Sequence, residues 1–189
     1  MYQKQLMVGT LFALLFTGLA YHTGAARLVV GGGLKVQQGV PYALVTLQSG
    51  DKAMELSWGH TAHRLRGLNT DINASTTVFG ALLGWHPALA ANVIPFVAVG
   101  GISTQTRVLG TFKGQHVNAV LPQKGVQAAA GLAYRYTQIP LGFFFDLSYS
   151  TLTQASLLID VGTRIDTLTL PLSDVVGVRW SLGFALSLG

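Results

Sequence analysis

Residues 174–189, DVVGVRWSLGFALSLG, divide into two interleaved sets. Val176, Val178, Trp180, Leu182, Phe184, Leu186 and Leu188 form one, and Gly177, Arg179, Ser181, Gly183, Ala185 and Ser187 form the other. Successive side chains of a strand point to opposite faces, so this is a strand with one apolar face and one small, polar face. A soluble sheet seldom lines up so many large apolar residues on one face of a strand this long. The length suits a tilted strand crossing a membrane, which takes about 9–11 residues.

The rest of the chain repeats the pattern. Leu28, Val30, Leu34 and Val36 alternate with Val29, Gly31, Gly33 and Lys35, and Met54, Leu56 and Trp58 with Glu55, Ser57 and Gly59. Thr77, Phe79, Ala81, Leu83 and Trp85 oppose Val78, Gly80, Leu82 and Gly84, and two further alternating segments, 125–137 and 141–151, read as one hairpin. Counted against a period of two, about eight segments emerge between Gly, Pro, Asn and Asp signals. Residues 42–49 alternate less decisively, and 93–104 carry apolar residues and glycine on both faces.

The polar run 64–75 (RLRGLNTDINAS) reads as a loop, and 105–124 and 152–173 as two longer ones. Val108 and Phe112, with Leu158, Ile165, Leu168 and Leu170, retain some alternation, the mark of hairpins projecting beyond a bilayer. Connections are short near Gly50, Asn92 and Ile139 and mostly longer near Leu68, Gly114 and Gly162. Transmembrane barrels show this contrast, with short periplasmic turns and longer outer loops.

Composition supports the same reading. Half of the 189 residues are apolar and only 10% are charged, against about a quarter charged in soluble domains. Yet no run reaches the roughly 18 apolar residues of a transmembrane helix. Strands in hydrocarbon must pair every backbone polar group, so they close into a barrel. Residues 7–20, with Lys4 before them and small residues after, read as the core of a secretory signal peptide spanning 1–25, which leaves 26–189 as the barrel domain. The absence of cysteine excludes disulfides, a thiolate metal site and a lipidated cysteine. The net charge of +5 is scattered rather than clustered, which speaks against nucleic acid.

The inward face collects Lys35, Glu55, Arg135, Asp146 and Arg179. Charges in a narrow lumen are tolerable when paired, so Glu55 and Asp146 are expected to serve as acidic partners of Lys35, Arg135 and Arg179. An eight-stranded barrel is just wide enough for its side chains to fill, which implies a plug. Small inward residues such as Gly80, Ala129, Gly131 and Gly183 either let Phe144 and Leu82 pack across or leave a narrow cavity for a lipid tail or small apolar ligand. On the outer face Trp58, Trp85, Tyr134, Tyr136, Tyr149 and Trp180, together with Tyr42, are expected to form an aromatic girdle.

Catalytic constellations are thin. Glu55, Ser57 and His63 share a face, but alternation puts His60 on the opposite one, so no compact hydrolase relay forms. The same spacing keeps His60 and His63 from acting as a metal pair. Gly31-Gly32-Gly33 lies inside a strand, without the strand–loop–helix context of a phosphate site. No catalytic residue, metal or cofactor is expected, and a lipid A hydrolase stands behind the non-enzymatic reading.

The glycine-aromatic strand PFVAVGGIS (95–103), the hairpin GLAYRYTQIPLGFFFDLSYS (131–150) and the aromatic-apolar last strand give a chain that resembles the small outer-membrane β-barrels of Gram-negative bacteria. That group holds the OmpX-like, opacity-protein-like and OmpA transmembrane-domain-like barrels. The resemblance implies an all-β, eight-stranded antiparallel up-and-down barrel, inserted by the barrel-assembly machinery among outer-membrane lipid and lipopolysaccharide. It also implies a role in envelope structure, adhesion or surface contact, with an extracellular partner met through 64–75, 105–124 and 152–173.

Overall fold

The computed structural model describes residues 28–87, 92–135, 139–153, 156–160, 165–170 and 175–188. The expected signal peptide and Tyr136 lie outside them.

Strands β1 (Leu28–Gln37), β2 (Val40–Ser49), β3 (Lys52–Gly67), β4 (Thr70–Trp85), β5 (Val93–Phe112), β6 (Gln115–Arg135), β7 (Leu141–Leu152) and β10 (Gly177–Leu188) close into one barrel. Every neighbouring pair is antiparallel, and β1 closes the ring against β10, with Lys35 opposite Gly183 and Leu34 opposite Phe184. Between β7 and β10 the chain forms a separate two-stranded sheet, β8 (Ser156–Asp160) and β9 (Ile165–Thr169). Where all eight strands run together closure leaves no unpaired edge, which is what permits strands in hydrocarbon; β3 beyond Gly59 and β6 before Gly125 extend past the ring with one side unpaired.

Facing follows the alternation. Leu34, Phe79, Leu83, Leu132, Phe145 and Leu182 are exposed on the outer wall, while Lys35, Leu82, Asp146, Ser148, Arg179 and Ser181 are buried inside. Residues 93–104 also resolve: Ile94, Ala98 and Ile102 are buried, and Val93, Val97 and Val99 are exposed. Both sets are apolar there because the lumen itself is apolar at that point. Tyr42 departs from the girdle expectation, since it is buried inside the barrel.

Two expected loops are strands. Residues 64–75 continue the β3–β4 ladder to Gly67 opposite Thr70, and 105–124 continue β5–β6 to Phe112 opposite Gln115. The turns are therefore only Leu68-Asn69 and Lys113-Gly114. In the second, Lys113 (φ 50°) and Gly114 (φ 87°) both adopt the left-handed region, as tight two-residue hairpins require. The outer faces of these extensions are polar because they meet water, which is what made the sequence read as loop.

The barrel rim is uneven as a result. β1 and β2 have 10 residues each and β7 and β10 have 12, whereas β3 and β4 have 16, β5 has 20 and β6 has 21.

Candidate functional site

Strand parity directs side chains into the barrel from every wall, and the lumen is occupied along most of its length. Near its middle, Lys35 Nζ stands 3.0 Å from Glu55 Oε1 and 3.4 Å from Asp146 Oδ2. Lys35 and Asp146 are almost fully buried, and Glu55 slightly less so. Lys35 also lies 5.9 Å from the centre of the Phe144 ring. That ring fits because Gly183 stands opposite, where a Cβ would collide with it.

The five charged residues read from the sequence do not all meet. Both acids face Lys35. Arg135 lies at the barrel end formed by the short turns, where its guanidinium donates to Gln48 Oε1. Arg179 is buried outward of the acids, and its Nη2 donates to Ser150 Oγ at 2.8 Å.

Above Lys35 the lumen is a hydrogen-bonded polar plug. Gln37 Nε2 donates to Ser148 Oγ at 2.6 Å, and Ser150 Oγ donates to the Val175 carbonyl. Thr104 Oγ1 donates to Gln123 Oε1 at 3.0 Å, and Gln123 Nε2 donates to the Thr153 carbonyl at 3.1 Å. Packed through this layer is an apolar cluster of Val40, Tyr42, Val78, Ile102 and Val175.

Farther out, the long hairpins carry a second core. Ile72 and Ala74 of β4, Val108 of β5 and Val117 of β6 pack against Ile159, Leu168 and Leu170 of the β8–β9 segment. The small sheet thus lies over the hairpins as a cap. Lys113 Nζ ties it down with a 2.7 Å ion pair to Asp166 Oδ2. On the exposed hairpin, Arg64 donates to both oxygens of Asp71, at 2.8 and 2.6 Å. The Arg64 guanidinium holds the Asp71 carboxyl below the ordinary carboxylate range.

On the opposite side of Lys35 the lumen is not filled. A cavity of about 170 Å³ is walled by Leu82, Ala98, Ala129, Phe96 and Phe144. Lys35 and Glu55 lie at its inner end, and His86 and Arg135 line it at the short-turn end. His86, just beyond β4, packs against Phe96 with ring centres 5.4 Å apart. Burial, and secondarily the Arg135 charge, push its imidazole below the ordinary histidine value.

The outer aromatics lie at two levels of the wall. Trp85 and Tyr134 sit at the short-turn ends of β4 and β6, and Trp58, Tyr149 and Trp180 sit toward the opposite edge, all exposed. Trp85 Nε1 donates to Asp51 Oδ2 at 2.9 Å, the indole of an interfacial residue reaching its polar side. The histidines stay apart from Ser57 and Glu55. His60 contacts Thr77 Oγ1 at 3.4 Å and Ser75 Oγ at 3.3 Å on the outer wall, and His63 contacts Thr61 Oγ1 at 3.4 Å. Among the described residues no three His, Asp or Glu side chains are placed to hold a metal ion.

An apolar outer belt around a closed ladder, with polar groups turned inward, defines a small eight-stranded β-barrel of the transmembrane kind. No protein-family model matches the sequence, nor does any curated protein sequence. Solved structures do match. The outer membrane protein OprG from Pseudomonas aeruginosa aligns with a TM-score of 0.57 at 13% identity, over 87% of this chain and 96% of that one. A major outer membrane protein from Thermus thermophilus aligns with a TM-score of 0.53 at 13% identity, over 87% of this chain and all of that one. At such identities the likeness is one of fold.

Proposed function

We propose that this chain is a non-enzymatic outer-membrane protein whose plugged barrel anchors a folded extracellular cap for surface contact. The observation that carries the reading is the second hydrophobic core, Ile72 and Val108 against Ile159 and Leu168, built beyond the belt. A barrel serving only as a conduit has no need of a packed core above its outer mouth. The polar plug around Gln37, Ser148, Thr104 and Gln123 supports a closed lumen, since well-packed side chains leave no water-filled path.

Planar-bilayer recording and surface proteolysis test this reading together. The full chain is expected to carry no steady ion current, and protease added to intact cells should release fragments from residues 153–176 while the barrel stays protected. A steady current at neutral pH, or complete protection of that segment on intact cells, would overturn it.

A second reading is favoured by the cavity below Lys35. Its size is close to that of a cavity able to hold one benzene-sized molecule, about 150 Å³, and its walls are mostly Ala, Leu and Phe. On this reading the barrel takes up a small apolar ligand or lipid tail from the periplasmic side. Mass spectra of the folded protein with and without added hexane-sized solutes would reveal a bound mass, and Ala129→Phe would abolish it.

A further inference from the structure

Across the outer wall, the ladder sets three rows of side chains side by side. One row runs Trp58, Phe79, Ser103, Lys124; the next runs Leu56, Ala81, Gly101, Val126; the third runs Met54, Leu83, Val99. Ala81 and Gly101 in the middle row are small, while Phe79 and Trp58 on one side and Leu83 on the other are large and exposed. The result is an open-sided apolar groove of about 810 Å³, with Ser103 and Lys124 at its extracellular end.

The fold does not require a glycine on the floor. A Cβ at Gly101 would meet nothing nearer than the Gly125 carbonyl oxygen at 3.9 Å, and Gly101 has no left-handed φ. A larger side chain is compatible with the strand, and its absence leaves the groove open.

Charge marks one end. Beyond the belt, the outward positions of β3–β6 carry His60, Arg64, Arg66, Arg107 and Lys124, and among the described residues Asp71 is the sole acidic side chain on that face. Asp71 is already matched by Arg64 at 2.6 Å. Lys124, next to Ser103 and diagonal to Gly101, is therefore a cation at the end of an apolar trough.

We infer that this groove is a fixed site for one phosphate-bearing lipid of the outer leaflet. An acyl chain lies on Ala81 and Gly101 between Phe79 and Leu83, and the phosphate meets Lys124, with the Ser103 hydroxyl able to turn to it from the Gln123 carbonyl, to which it donates at 3.4 Å. An ammonium suits a phosphate as a point charge, and the chain is held by its packing in the trough, since in hydrocarbon no water is displaced from it. The inference rests on the outer-membrane reading proposed above.

Native mass spectrometry of the full chain, folded in nonionic detergent, tests it with three probes: phosphatidic acid, diacylglycerol with the same acyl chains, and inorganic phosphate. The wild type should retain one phosphatidic acid at least tenfold better than diacylglycerol and should retain no inorganic phosphate. Lys124→Gln should erase the preference for phosphatidic acid, Gly101→Leu should weaken retention of both lipids, and Lys113→Gln should change neither. Wild-type retention in both Lys124→Gln and Gly101→Leu, or equal retention of the two lipids by the wild type, would overturn the inference. Heat-modifiable migration shows that each variant is folded. Failure of the wild type to insert into vesicles would instead overturn the outer-membrane reading on which the site depends.

Discussion

The ring of Tyr42 lies so close over Gly59 on the neighbouring strand that a Cβ at Gly59 would stand 2.5 Å from the ring's Cδ1 and Cε1. The glycine is the socket in which the largest side chain of the plug's apolar cluster rests. Gly59→Ala forces the ring aside, and overpacking of this kind costs about 1–3 kcal/mol. In a Tyr42→Ala background the same change should cost much less, because the two sites are coupled. Urea unfolding from lipid vesicles measures both, and equal costs in the two backgrounds would disprove the coupling.

Lys35 serves two buried carboxylates at once. Lys35→Met leaves them facing each other without a cation, a change expected to cost about 3–5 kcal/mol. Adding Glu55→Gln and Asp146→Asn should restore most of the loss, because neutral groups of the same shape bring no uncompensated charge. Denaturant midpoints of the single and triple variants decide this, and a triple variant no more stable than Lys35→Met would refute it.

Two groups outside the membrane set the response to acid. His86 titrates below the ordinary value of 6.5 because it is buried and lies near Arg135. As the pH falls below 6.5 the unfolded chain takes up the proton first, so stability declines through that window. His86→Phe should flatten the decline between pH 7 and 5. Asp71, held below 3.8 chiefly by its hydrogen bonds from Arg64, gives a contribution present above the ordinary carboxylate range and lost at lower pH. Because that pair is exposed, its effect should be small and should fade in high salt. Thermal unfolding across pH in the two variants, His86→Phe and Asp71→Asn, separates the windows.

The cap should come apart without the barrel. Ile72 is fully buried in the outer core, and Ile72→Ala is expected to cost that region about 2–5 kcal/mol. Amide hydrogen exchange should then rise in residues 64–75 and 105–120 while β7 and β10 stay protected. A uniform rise in exchange throughout the barrel would show that the cap and barrel unfold as one unit.

Which parts of this were legible in the chain depends on what each face meets. β10 and the β6–β7 hairpin were plain because lipid demands large apolar residues on one face while the packed lumen demands small or polar ones on the other. Residues 93–104 were ambiguous for the opposite reason: Ile94 and Ile102 face an apolar part of the lumen while Val97 and Val99 face lipid. The upper halves of the long hairpins were hidden because water, not lipid, bathes Arg64, Asn73 and Ser75, and their inward partners Ile72 and Ala74 pack under a cap whose strands lie far off in sequence. The charged residues were found by parity, but their pairing was not, since parity gives the face and says nothing of depth. Arg135 and Lys35 point the same way but lie at the two ends of one cavity. The groove floor at Ala81 and Gly101 escaped notice because small residues on a lipid face carry no period of their own.

The uneven rim gives the molecule a front and a back within the plane of the membrane. On the side of β1, β2, β7 and β10 the wall ends at the headgroups, so a neighbour drifting in from there meets little but the apolar belt and the sugars or phosphates above it. On the side of β3–β6 it meets a rigid parapet of sheet standing clear of the bilayer, with Lys124 and Arg107 on its lower wall and Arg64 and Arg66 near the tip of the β3–β4 hairpin. Contacts with other membrane proteins should therefore be directional, with crowding felt on the low side and long-range electrostatic attraction on the high one.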